Sequence, residues 1–211
     1  MQPDDIDRKT NLGDTIYQIG QTLSDLDPGA LASLRRMSLE GGQAGAPYFW
    51  RLDARYDFGG DERRQTWARI VQIMAILTDK GRAEDKRSPH QPANKDNGWR
   101  GLGHALCDAC DPAWGQGEIE PRPMLSELRF ARLLAAREAM RAELIERTVR
   151  ALAAKKPSGT GVNCTDLARF LLYPDDAAIV RKLARDYYAR LDRGAANNND
   201  DTDSSMTGDA A

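Results

Sequence analysis

The sequence predicts an all-α fold: two small helical bundles, 1–120 and 121–193, joined by a Pro/Gly-containing linker and followed by a disordered acidic C-terminal tail, 194–211. Three observations carry this reading. Apolar residues recur at helical spacing, i, i+3, i+4, i+7, and alternating strand-like runs are nearly absent. Proline and glycine cluster between the periodic segments, where they end helices or open turns. From Gly194 onward the chain is rich in Asn, Asp and Ser with almost no apolar side chains, so it cannot bury enough surface to order itself.

The elements follow in order. Residues 12–26 carry Leu12, Ile16, Ile19, Leu23 and Leu26 on one loose face. Asp27 is a suitable N-cap and Pro28 a suitable first-turn residue for the next helix, which holds Leu31, Leu34 and Leu39 and stops at Gly41-Gly42. Residues 43–64 read as irregular, with Tyr48-Phe49-Trp50 pinning them to the core. Residues 65–79 form the most apolar helix, through Trp67, Ile70, Val71, Met74 and Leu77, and it is expected to be central. Residues 80–98 read as a mobile polar loop, 99–110 as a short helix and 111–123 as the linker. A long helix is predicted over 124–154, built from Leu, Ala, Arg and Glu. Thr165 or Asn163 caps a helix over 166–173, and Pro174-Asp175-Asp176 opens the last one, with Val180, Leu183, Ala184, Tyr187 and Leu191 on its apolar stripe.

Composition bounds the function. No apolar run approaches the 18–20 or so residues of a membrane span, and the acidic N-terminus lacks the apolar core of a secretory signal, so a cytoplasmic protein is expected. Three cysteines, Cys107, Cys110 and Cys164, do not make a disulfide framework. The net charge of −2 conceals a segregation. Residues 1–121 hold 15 basic against 19 acidic side chains, residues 122–193 hold 15 against 9, and residues 194–211 hold none against 4. The basic C-terminal half is either a set of solvated helix faces or a surface for a polyanion.

Five segments resemble, in order, the CasB family of small subunits of type I-E CRISPR surveillance complexes. They are PGALASLRR at 28–36, YFWRL at 48–52, GLGHAL at 101–106, SELRFARLL at 126–134 and RKLARDYY at 181–188. Together they spread over roughly 12–193. One departure is Leu183, where the family's closing helix usually carries tryptophan; packing against the bundle should change there. The resemblance implies two helical bundles and no catalytic activity; no cofactor is expected. It implies a place in the Cascade complex beside the backbone and large subunits and a second copy of itself. There the subunit is expected to help hold the guide RNA–target DNA duplex and the displaced single-stranded DNA.

Such an effector reads sequence by base pairing, and strand exchange is nearly balanced, so protein contacts to backbones can tip it. Arginine suits bidentate phosphate contacts. On a helical wheel for 124–154, Arg129 and Arg147 share one angle while Arg132 and Arg150 lie about 60° away, making a stripe about 27 Å long. Arg147 and Arg150 have Glu143 and Glu146 four residues earlier, the favourable orientation for pairing; Arg36 has Glu40 and Arg141 has Glu138 within helical reach. Arg129, Arg132, Arg35, Arg137, Arg181 and Arg185 have no intrahelical carboxylate partner. The candidate nucleic-acid-binding residues are these six, Arg35, Arg129, Arg132, Arg137, Arg181 and Arg185, together with Arg36. Arg137 lies nearer the apolar arc, where a structural role competes. Tyr187 sits on the apolar stripe and belongs to the core; Tyr188 fits either the core or base stacking.

Three other readings compete. His104, Cys107 and Cys110, with Cys164, offer zinc-type ligands, but i and i+6 diverge by about 120° on a regular helix, so no metal site is expected. Two histidines and no compact carboxylate cluster leave little for a metal-dependent nuclease. A helical protein–protein adaptor or regulator that does not touch nucleic acid also fits the composition, and salt dependence of binding separates it from a phosphate binder.

Overall fold

The computed structural model describes residues 4–37, 46–79, 89–91, 101–116 and 121–203, the side chains of 4–11 and 195–203 excepted. Among these residues the chain is all-α. Its helices are α1 (Asp4–Asp25), α2 (Pro28–Arg35), α3 (Pro47–Tyr56), α4 (Asp61–Leu77), α5 (Leu102–Asp108), α6 (Glu127–Ala135), α7 (Glu138–Lys155), α8 (Cys164–Leu172) and α9 (Ala177–Asp203). The Gly41-Gly42 stop and most of the 80–98 loop lie outside the described residues.

Local chemistry sets several boundaries as the sequence predicts. Asp27 caps α2, its Oδ1 accepting from the Ala30 amide at 2.9 Å, with Pro28 in the first turn. Asn163, rather than Thr165, caps α8 by accepting from the amides of Thr165 and Asp166. Two expectations are corrected. The 43–64 stretch contains α3, which Pro47 starts and a left-handed Asp57 (φ 47°) ends, so the aromatic run is helical. Phe49 faces the core and packs toward Phe58, which lies parallel to Trp67 at 4.6 Å, while Trp50 is exposed. The predicted long helix over 124–154 is two helices, broken at Ala136 and Arg137, both extended. α9 continues past Gly194 to Asp203, and the rest of the predicted tail, 204–211, lies outside the described residues; Gly194 is buried, with Trp114 and Pro121 so close that a Cβ there has no room.

One contiguous apolar cluster joins helices from both halves of the chain. α4 lies at its centre, as its apolar stripe requires, touching α1, α2, α3, α7 and α8. The most extensive helix contact is α5 against α9. It depends on Gly103, where a Cβ would stand 2.4 Å from the Leu183 carbonyl oxygen and 2.8 Å from the Tyr187 amide. At that depth Tyr187 is fully buried. Its hydroxyl donates to the Leu125 carbonyl at 2.5 Å and its ring stacks on Phe130 at 3.9 Å, which seats α6 on α9. Leu183 occupies the crossing as a buried residue.

Polar links close the loops. Arg190 of α9 donates to Asp108 at 2.8 Å and to the Trp114 carbonyl, its guanidinium lying over the Trp114 ring. Lys156, with a side chain 3% exposed, pairs with Asp79 at 2.6 Å and donates to the Thr160 carbonyl, joining the ends of α4 and α7. Residues 89–91 lie against the α7–α8 connection through Gln91 N–H to Val162 O and Val162 N–H to Pro89 O. There the buried His90 uses Nδ1 to accept from the Cys164 amide at 3.1 Å.

Two outcomes test this packing. Gly103→Ala should destabilise the chain by about 1–3 kcal/mol in urea unfolding, because the methyl group meets backbone that cannot yield; an unchanged midpoint would contradict the close approach. Burial holds the His90 imidazole down to about 4, with the Asp166 charge opposing. The unfolded chain therefore binds a proton more readily, and stability should be full above about pH 6.5 and fall as pH drops from there to about 4. The loss approaches ~3 kcal/mol, and His90→Asn should flatten the fall in that window when unfolding is measured against pH.

Candidate nucleic-acid interface

The break at Ala136–Arg137 turns the predicted arginine stripe into a different object. α6 folds back on α7, and the two helices, with the segment before α6, enclose a groove of about 320 Å³. Arg129 and Arg132 of α6 and Arg147 of α7 line it, over a floor that includes Leu125, Leu133 and Leu144. All three arginines are exposed, and none makes an ion pair with a described residue. Arg147 thus does not use Glu143, and the pairing that set it aside on sequence grounds does not form. Arg150, the fourth member of the stripe, does pair with Glu146 at 2.9 Å; Glu146 also accepts from Arg69 of α4.

The remaining candidates are dispersed. Arg35 is not available in the way its sequence neighbours suggest. Its Nε donates to the Ala75 carbonyl at 2.8 Å and its Nη2 to the Thr78 carbonyl at 2.7 Å, so it caps the C-terminal end of α4. Burial lowers its pKa, with Asp79 opposing. Arg36 is exposed and donates to Ala32 O at 3.3 Å. Arg137 sits at the break with its side chain 72% exposed, 3.9 Å from Asp175, so it is not on an apolar arc. Arg181 and Arg185 are exposed one turn apart on α9 and make no ion pair with a described residue. Tyr188, seven residues after Arg181, is 38% exposed and meets the Phe130 and Tyr187 rings edge-on.

Arg141 differs most from its expected pairing with Glu138. It is 2% exposed, and its donors meet only carbonyls: Ala136 at 2.9 Å, Pro174 at 2.8 Å and Phe170 at 3.4 Å. Large apolar side chains also stand in solvent on the groove helices, Leu128 at 82% and Met140 at 52% exposure.

The sulfur and imidazole groups do not gather into a metal centre among the described residues. Cys107, Cys110 and Cys164 are buried free thiols. Burial, reinforced by Asp108 and opposed by Arg190, pushes Cys107 up to about 12, and burial raises Cys164 as well. No helix among the described residues is long and apolar enough to cross a membrane.

Comparison with curated proteins and with solved structures gave no match. The family description "CRISPR-associated protein Cse2" matches residues 30–188, well over half the chain and running from within α2 into the first half of α9. The chain therefore belongs to the Cse2 family, the CasB-type subunits of the type I-E CRISPR Cascade complex.

Proposed function

We propose that this chain is a non-catalytic Cascade subunit that steadies the guide RNA–target DNA duplex and the displaced non-target strand, acting in the cytoplasm and using the α6–α7 groove as its main phosphate contact. The observation that carries this is the convergence of Arg129, Arg132 and Arg147 on one concave surface with no carboxylate partner among the described residues. Unneutralised guanidiniums held on helices cost little reorganisation when phosphate arrives, and each offers a charge-assisted, two-pronged contact. Family membership supports the setting, since a Cascade subunit works beside nucleic acid. Arg181 and Arg185 form a second cationic step on α9, and the exposed Tyr188 edge offers a base-stacking surface. Arg36 and Arg137 retain exposed charge for the same strand, and Arg35 contributes at most its remaining guanidinium edge.

The adaptor reading has its own observation in the exposed Leu128, Met140 and Trp50, apolar side chains of the sort that protein interfaces cover. The two readings are compatible. Backbone and large subunits and a second copy of the chain are the protein partners proposed for these side chains, and the arginines remain for nucleic acid.

The test is target binding by reconstituted Cascade at several salt concentrations. Arg129→Ala/Arg132→Ala/Arg147→Ala should weaken target binding about tenfold or more. It should also reduce the slope of log affinity against log salt by about 2, since each phosphate left unneutralised takes roughly 0.7–0.9 from that slope. Arg181→Ala/Arg185→Ala should give a smaller change of the same sign. Unaltered affinity and slope in complexes that contain the triple variant at full occupancy would overturn the reading.

A further inference from the structure

The α6–α7 groove exists because the chain breaks where its own sequence favours continuing. Residues 133–141, Leu-Leu-Ala-Ala-Arg-Glu-Ala-Met-Arg, contain no glycine, proline or β-branched side chain, and all are strong helix formers. Yet Ala136 and Arg137 are extended, with ψ of 148° and 156°. Glu138 follows at φ 45°, a left-handed conformation unfavourable for a residue with a side chain. Something beyond local preference holds this geometry.

Arg141 occupies the place where that holding is done. A helix end leaves carbonyls without intrahelical donors. Ala136, the C-cap of α6, is one such group, and Phe170 and Pro174, at and beyond the end of α8, are two more. The single buried guanidinium serves all three: Nε donates to Ala136, and Nη1 donates to Pro174 and more weakly to Phe170. Its carbon lies 4.6 Å from the Phe170 ring centre. One cation therefore ties the end of α6 to the end of α8 from within the first turn of α7. A continuous helix would take the Ala136 carbonyl back into its own ladder and remove it from Arg141.

We propose that Arg141 is the positioning residue of the arginine groove: it holds α6 folded against α7, and without it residues 127–155 shift toward one straight helix that carries Arg129 and Arg132 away from Arg147. The inference deepens the proposed nucleic-acid contact and rests on it for its consequence, but the geometry itself is measured independently. Other cations do not replace Arg141. Arg137 is exposed and, among the described residues, pairs with Asp175, at 3.9 Å. The Phe130–Tyr187 stack also favours the broken form, and Arg141 adds to it the tie between the ends of α6 and α8.

The experiment places spin labels on the full chain at Leu128→Cys and Ala154→Cys, both exposed positions. The native thiols are buried and should label far more slowly. In a straight helix these positions stand about 39 Å apart. With Arg141 present the distance should be short and narrowly distributed. Arg141→Met should lengthen it toward about 39 Å with helix content retained, and single-stranded DNA affinity should fall about tenfold. If Arg141→Met does not fold, Arg141→Lys serves, since one ammonium cannot span the three carbonyls; it should broaden the distribution to longer distances. Adding Glu138→Gly, which accepts the left-handed turn and disfavours helix, should shorten it again. A distance unchanged in folded Arg141→Met or Arg141→Lys overturns the proposal, whatever the DNA affinity. A lengthened distance with unaltered affinity upholds Arg141 as the positioning residue and counts against the groove as the phosphate contact.

Discussion

How closely α9 approaches Gly103 governs the C-terminal half of the molecule. The Leu183 carbonyl and the Tyr187 amide occupy the space a side chain would need, so α9 sinks against α5 by the depth of a methyl group. That depth buries Tyr187 and lets its hydroxyl reach the Leu125 carbonyl. The Tyr187 ring then supplies the flat surface on which Phe130 lies, and Phe130 fixes the face of α6 that turns inward. The face that remains outside carries Arg129 and Arg132. A backbone-level constraint in a seven-residue helix is thereby transmitted, through one aromatic stack, to the surface proposed to meet nucleic acid.

The charges divide by the same logic. Arg64, Arg69, Arg190 and Lys156 are tied to carboxylates, and Arg35 and Arg141 to carbonyls at helix ends. These cations hold elements together, and they are partly or wholly buried. Arg129, Arg132, Arg147, Arg181 and Arg185 are exposed and have no such tie among the described residues. Net charge says little about such a molecule, because structural pairs cancel one another and the acidic residues after Gly194 offset the rest. What matters for a phosphate backbone is the subset of cations that no carboxylate neutralises.

Much of this is legible in the sequence, and the exceptions have identifiable causes. Apolar spacing locates α4 as the central helix, and Asp27 and Pro28 mark the start of α2, because those signals act within a few residues. The break after α6 is invisible there because its determinants are not local: two of the carbonyls that hold Arg141 lie 29 and 33 residues further along the chain. The same distance in sequence hides Arg35, whose partners on α4 and at its end are 40 and 43 residues away. Arg147 escapes for the opposite reason. A carboxylate four residues earlier permits an ion pair but does not compel one, since exposed pairs of this kind are worth only ~0.3–0.5 kcal/mol. α3 is hard to see because its one turn of core contact, Phe49 and Leu52, sits among residues typical of loops.

Whether nucleic acid lies in the α6–α7 groove is decided by photocrosslinking, with a photoreactive side chain placed at Ala151 on the groove wall and, separately, at Tyr17 on the exposed side of α1. In assembled Cascade bound to a matched target, position 151 should crosslink to a DNA or guide strand and position 17 should do so rarely. Crosslinks from position 151 only to protein subunits, with the target strand fully bound, would contradict a phosphate-binding groove.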